Sequence, residues 1–142
     1  MMKSLILAAA LIAAFVAGAY AQDASTAQPQ VFHIADISSA SIPTVVPGVK
    51  VKDLVSGPSG DVGVVEITNV ARHRHNRTDE LIYVISGSGT ATLGTKSYEI
   101  KPGDLIVLPR GTPHDVKSAA GIRVLGISYP KDDPKDFDSL AP

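Results

Sequence analysis

The chain has no cysteine and no tryptophan in 142 residues, and aromatic side chains make up only 5% of it. Without cysteine, no disulfide can staple the fold and no lipid anchor can be attached through a thiol. Stability must come from one packed core, with a metal or a partner subunit as possible further support. Charge of one sign is missing too: 13 Lys and Arg stand against 14 Asp and Glu. That balance argues against nucleic acid as a partner, since proteins of that class carry a clear basic excess. Helical periodicity is also scarce, and no stretch between residues 31 and 130 keeps it for three turns.

What is present begins with "MMKSLILAAALIAAFVAGAYAQD". One lysine precedes an apolar run from Leu5 to Val16, and Ala19-Tyr20-Ala21 has the small-x-small spacing of a signal-peptidase site. A permanent membrane anchor would need about 18–20 apolar residues. The uncharged stretch Ser4–Gln22 approaches that length, but its apolar centre is short and Gly18 and Tyr20 weaken its end. Residues 1–21 are therefore expected to be a signal peptide cleaved after Ala21. The mature protein would be periplasmic or secreted, without a stable membrane anchor. Cleavage removes Lys3 and no acid, so 12 basic residues face 14 acidic ones, a formal charge of −2.

Beyond that point one domain's worth of chain remains. Residues 22–44 read as an N-terminal arm, polar over 22–30, and 45–130 as the folded domain. The charged, proline-containing tail 131–142 is expected to be flexible, with Phe137 as its one docking candidate. Short apolar or alternating runs at 49–55, 62–68, 80–86, 89–93, 96–100, 105–108, 114–117 and 122–128 are separated by Gly, Pro, Asn and Asp. Regular short strands with a turn every several residues indicate an all-β sandwich or barrel.

The stretch "VARHRHNRTDE" at 70–80 holds the chemistry. Side chains alternate faces along a strand, so His73 and His75 project together while Arg72 and Arg74 project oppositely. Two imidazoles on one face can chelate an ion. Glu80, starting the next strand after a short turn, can reach the same ion, and His114 in "LPRGTPHDV" can add a third imidazole. Three nitrogens and one oxygen suit a divalent transition metal with positions left open for water or substrate. Singly, each residue has a plainer reading: a surface H-x-H pair, a solvated turn acid, a strand-start histidine. Their joint occurrence carries the argument.

The spacing resembles the two motifs of the cupin family. The first runs H-x-H, three or four residues, Glu, six residues, Gly, matched here by His73, His75, Glu80 and Gly87. The second runs Gly, five residues, Pro-x-Gly, two residues, His, three residues, Asn. Gly103, Pro109, Gly111 and His114 match it, with Ser118 in the place of the Asn. The glycine expected to open the first motif is Ile67, with Gly63 nearby but out of register. The resemblance covers residues 45–129. It implies a single-domain, secreted type-2 cupin, an all-β double-stranded β-helix or jelly-roll barrel. It also implies that His73, His75, Glu80 and His114 hold one divalent metal, whether Fe, Mn, Zn, Cu or Ni. No organic cofactor site is expected.

Alternation along the strands, with the family pattern, places Ile82, Val84, Ile106 and Val116 around an apolar cavity. Leu81, Tyr83 and Ile85 would face outward and need a cover, and cupins often dimerise through such faces, so a homodimer is expected. Arg72 and Arg74 read as surface-pairing residues. Arg77, in the turn between ligand strands, is a candidate for the pocket mouth, where a guanidinium favours a substrate carboxylate or enolate. Ser118 is a second pocket candidate, and His33 reads as surface. The resemblance implies a metal-dependent enzyme on a small oxygen-bearing substrate: a dioxygenase, isomerase, decarboxylase or lyase. The alternative is a non-catalytic binder of metal or small ligand in the cell envelope. A DNA-binding regulator would need a helix-turn-helix that the sequence lacks.

Overall fold

A computed structural model of the chain describes residues 28–133 and 135–141. The proposed signal peptide, 1–21, lies outside the described residues. The fold is that of the unit Phe32–Pro142. Among the described residues two short 3-10 turns, Ile34–Asp36 and Ser39–Ser41, lead into nine strands: β1 (Thr44–Val46), β2 (Val49–Gly57), β3 (Gly60–His75), β4 (Asp79–Gly87), β5 (Gly89–Leu93), β6 (Lys96–Ile100), β7 (Leu105–Leu108), β8 (His114–Tyr129) and β9 (Phe137–Ser139). Every pairing is antiparallel. The main path runs β1-β2-β3-β8-β4-β7, with β5 on β8, β6 on β5 and β9 on β3. The all-β double-stranded β-helix expected from the sequence is the architecture found. Among the described residues no helix is long and apolar enough to cross a membrane.

Two sequence-level boundaries change. The run 62–68 continues through the histidine-bearing stretch to His75 as one strand, β3, and the runs 114–117 and 122–128 are one strand, β8. Their register shifts between Ile67 and Asn69, where β8 steps from Ile122 to Lys117, and again between Val70 and His73. Bulges of this kind bend a strand without ending its pairing. Each long strand can then serve both halves of the barrel. Local pattern shows the break in alternation as a break in the strand.

The buried cluster is aliphatic: Ile67, Val84, Ala91, Ile100, Ile106, Leu108, Val116, Ile122 and Val124. Val84, Ile106 and Val116 are buried as alternation requires, and half-buried Ile82 packs against the cluster. The tail departs most from expectation. Rather than being flexible, residues 137–139 form β9 and pair with the end of β3, Phe137 opposite His75 and Ser139 opposite His73. The charges that made the tail look solvated are what fasten it. Asp136 Oδ2 accepts the Arg77 N–H at 2.7 Å, and Asp138 Oδ2 accepts from Arg74 Nε at 3.1 Å and Asn76 Nδ2 at 3.0 Å.

Gly87, the glycine closing the first motif, has φ +80°, and a Cβ there would collide with the backbone of Gly121 and Ile122. Gly94 also has positive φ, +60°, but nothing surrounds its missing Cβ. Gly87→Ala is expected to cost roughly 2–5 kcal/mol, combining left-handed strain with overpacking. Gly94→Ala should cost only the strain, roughly 1–2 kcal/mol. Urea unfolding of the two variants checks this, and equal costs would refute the close-packing argument.

Candidate metal centre

The β3–β8 register sets His73 directly opposite His114. Alternation along β3 adds His75 to the same face, and all three histidines are buried. Their rings lie close, with centroids 4.1 Å apart for His73–His114 and 5.2 Å for His73–His75. One potential ligand atom from each of the three falls within 4.8 Å of the others. Glu80, at the start of β4, completes the group. Its Oε1 is 3.7 Å from His75 Nε2 and its Oε2 is 3.4 Å from His114 Nε2. The four residues expected from the two motifs are thus brought together at one point.

The turns that deliver them are tied to each other. Gly111 N–H, in the turn before His114, donates to the His75 carbonyl at 2.6 Å. Asp79, beside Glu80, accepts from the Arg110 backbone N–H at 2.7 Å and from its guanidinium at 2.7 and 3.0 Å. These contacts hold the Asp79 carboxyl down at about 2, through its bonds to the Arg110 side chain and then backbone. Asp79 thus fastens the His114 turn to the Glu80 strand.

Ring orientation shows whether the histidines fit an ion. Nδ1 of His73 is 2.8 Å from the Ala71 carbonyl and Nδ1 of His114 is 3.0 Å from the Thr112 carbonyl. A carbonyl only accepts, so each Nδ1 carries the proton and each Nε2 keeps a free lone pair. His75 differs. Its Nδ1 lies 3.3 Å from Asp132 Oδ1, within ion-pair distance but not in hydrogen-bond geometry. A set of three imidazoles with a carboxylate between them is a donor set that a divalent transition metal satisfies.

The same crowding separates the histidines' proton affinities. Burial, with His114 close by, drives His73 down to about 4. For His75 burial also pulls downward, but Asp132 and then Glu80 outweigh it and the net shift is upward. Glu80 is lowered: burial raises it, and His114 and His75 more than compensate.

The cluster forms part of the lining of a cavity of about 780 Å³. Val46, Val51, Val65, Val70, Ile82 and Val116 contribute apolar wall, and Asp61, Ser128, Lys131 and Asp132 add polar groups. Of the four aliphatic positions expected around it, Ile82 and Val116 line the cavity, while Val84 and Ile106 sit in the core cluster. Arg77 is exposed and does not line the cavity, because the loop holding it is turned toward the tail by its N–H bond to Asp136. Ser118 is buried, as its inward position requires, but its Oγ donates to the Ser88 carbonyl at 2.6 Å and it too lies outside the lining. Arg72 pairs with Asp115 at 3.1 Å in a half-buried bridge, Arg74 pairs with Asp138 nearer the surface, and His33 is exposed. Sequence reasoning missed Asp132, and it noted Phe137 only as a docking candidate. Phe137 stacks on His73 with centroids 4.5 Å apart and planes 21° apart. The one signal was a lone aromatic residue in an otherwise charged tail.

In metal-free protein, His73 should remain neutral down to about pH 4, while His75 takes up its proton above its ordinary value. By linkage, His73 withdraws stability as pH falls from its unfolded value of about 6.5, because only the unfolded chain then takes the proton. His75 acts in the opposite sense, adding stability below its unfolded value that is lost as pH rises through its folded one. NMR titration of the histidine ring Cε1–H signals checks this; a shared midpoint near 6.5 would refute the picture.

Comparison with known proteins agrees with this geometry. Residues 64–125 match the family model described as Cupin domain. An uncharacterized protein of Methanocaldococcus jannaschii is 33% identical over 70 residues, 48% of this chain and 56% of that protein. The chain thus spans little more than half the length of that curated relative. A conserved Klebsiella pneumoniae protein with a double-stranded β-helix domain superposes with TM-score 0.65 at 15% identity, covering 81% of this chain and all of that one (100%). A variant of Streptomyces Pac13 bound to uridine superposes with TM-score 0.64 at 18% identity, covering 73% of this chain and 88% of that one. Pac13 is described as a nucleoside dehydratase. At these identities the likeness carries the fold alone. Residues 64–125 are thus similar to the Cupin domain, and the neighbours share the double-stranded β-helix fold of this barrel.

Proposed function

We propose that the protein binds one divalent transition metal through His73, His75, Glu80 and His114 and acts as a metal-dependent enzyme on a small oxygen-bearing organic molecule. The observation that carries this reading is the convergence of three buried imidazoles and a carboxylate within the lining of a largely apolar cavity. An ion held there supplies Lewis acidity toward an oxygen of the bound molecule. The valine and isoleucine walls would make the surroundings less polar than solvent, so a carboxylate or enolate headgroup would meet stronger electrostatic stabilisation there. Asp61, Lys131 and Asp132 add polar groups to the same lining. Isomerase, decarboxylase, lyase and dioxygenase chemistry all fit such a site, and the metal's identity separates the last from the others.

Wild-type protein should take up one equivalent of metal, and the His73→Ala, His114→Ala double variant should take up none. Full stoichiometric binding by the double variant, read by equilibrium dialysis and metal analysis, would overturn the assignment. Affinity should fall as pH falls, because protons compete for the imidazoles and Asp132 and Glu80 favour the charged form of His75. Titrating the Co(II)-loaded protein with small carboxylates and enediols should perturb the visible spectrum. No response to any of them would favour the non-catalytic binder.

We further propose that the protein is a homodimer through the outer face of β4 and β7. Leu81 pairs with Val107 and Tyr83 with Leu105 across these strands. Tyr83, Leu105 and Val107 are 44%, 58% and 56% exposed, a contiguous apolar strip on an edge of the main sheet path. Light scattering should give the mass of a dimer for the wild type and of a monomer for Leu105→Lys, Val107→Lys; a monomeric wild type would refute it.

A further inference from the structure

We propose that the segment after β8 is part of the metal centre, with Asp132 as the positioning residue for the ring of His75. This rests on the metal-site reading above. Two of the three imidazoles are oriented by chain just before them, His73 by the carbonyl of Ala71 and His114 by that of Thr112, each two residues earlier. Such contacts are supplied by local chain alone. Among the described residues no carbonyl performs this service for His75. Its Nδ1 faces Asp132 Oδ1 at 3.3 Å, and among the described residues both atoms are buried without a hydrogen-bond partner.

An unpaired buried donor and an unpaired buried acceptor each carry a desolvation penalty. A small rotation of either side chain pairs the two and removes both penalties. The carboxylate only accepts, so the pairing places the proton on Nδ1 and leaves Nε2 to face Glu80 and the other two rings. A carboxylate behind a ligand imidazole fixes its tautomer and orientation and raises its basicity. The third ligand would thus be set by a residue more than fifty positions away in sequence.

Asp132 is held in place by contacts that do not need its own carboxylate. Its N–H donates to Asp61 Oδ2 at 3.0 Å. Further along, Asp136 holds the Arg77 N–H, β9 pairs with the ligand end of β3, and Phe137 stacks on His73. Removing the Asp132 side chain therefore leaves the segment docked.

The test is Zn(II) affinity by competition with a chromophoric chelator, together with the visible spectrum of the Co(II)-loaded protein. Asp132→Ala should bind Zn(II) roughly 10–100-fold more weakly and shift the Co(II) bands. Asp132→Asn, whose amide oxygen can accept the same N–H, should recover most of that loss. Asp133→Ala, which removes the same charge from the exposed neighbouring position, should bind like the wild type. Unchanged affinity and spectrum in Asp132→Ala would overturn the inference while leaving the metal site standing. Equal losses in Asp132→Asn or in Asp133→Ala would overturn it as well, since charge rather than position would then be responsible. Failure of the wild type to bind either ion would overturn the metal-site reading and this inference with it.

Discussion

The pairing of β3 with β8 is the constraint on which the site depends. It sets His73 opposite His114, and strand alternation then adds His75. Because side chains alternate with a period of two, a slip of one residue would turn the imidazoles of the slipped strand to the outer face. The outer face has its own lock on the register. Arg72, pointing away from the histidines, pairs with Asp115, the residue after His114. Directly opposed side chains on one face sit close enough to act on each other, so the register that buries aliphatic residues below also packs imidazoles above.

Packing them has an electrostatic cost that the protein distributes unevenly. Three titratable rings and a carboxylate share a space only a few ångströms across. Burial and its neighbours make His73 reluctant to take a proton, whereas Asp132 and Glu80 favour the proton on His75. A cluster that cannot be comfortably protonated throughout, yet is rich in lone pairs, is better matched to one dication than to several protons. The carbonyl contacts of His73 and His114 point the same way, since they use up Nδ1 and leave Nε2 for the cluster.

Around this polar point the fold places mostly aliphatic wall. Valines on β1, β2 and β3, with Ile82 and Val116, line the cavity, while polar lining residues lie near the end of β8 and in the segment after it. Site and cavity therefore belong to one barrel: the bulged long strands carry the three histidines at one end and residues of the core cluster further along. The C-terminal segment completes the wall, and its fastening by Asp136 and Asp138 joins the chain's last residues to the strand that bears His73 and His75.

How much of this was legible in the sequence follows from the range of the interactions involved. Alternating runs and glycine-rich turns are local, so the strands of the barrel were readable, and motif spacing singled out His73, His75, Glu80 and His114 because their separations reflect strand and turn geometry. The inward places of Val84, Ile106 and Val116 follow from period two in the same way. The continuity of β3 and β8 was not readable, since a bulge interrupts alternation without interrupting the pairing between distant strands. Arg77 and Ser118 were placed by nearness in sequence, yet the first is turned outward by Asp136 and the second is taken by the carbonyl of Ser88. The tail is the clearest case. By composition "KDDPKDFDSLAP" is a solvated segment. Only the folded barrel presents Arg77, Arg74 and the open edge of β3 to it, and those partners lie some sixty residues away. Sequence by itself determined that His73 and His75 share a face, because strand periodicity is a property of the chain, and the resemblance to the two motifs added Glu80 and His114. Tertiary structure alone decided what stands behind them, because only the folded chain brings Asp132 Oδ1 within 3.3 Å of His75 Nδ1.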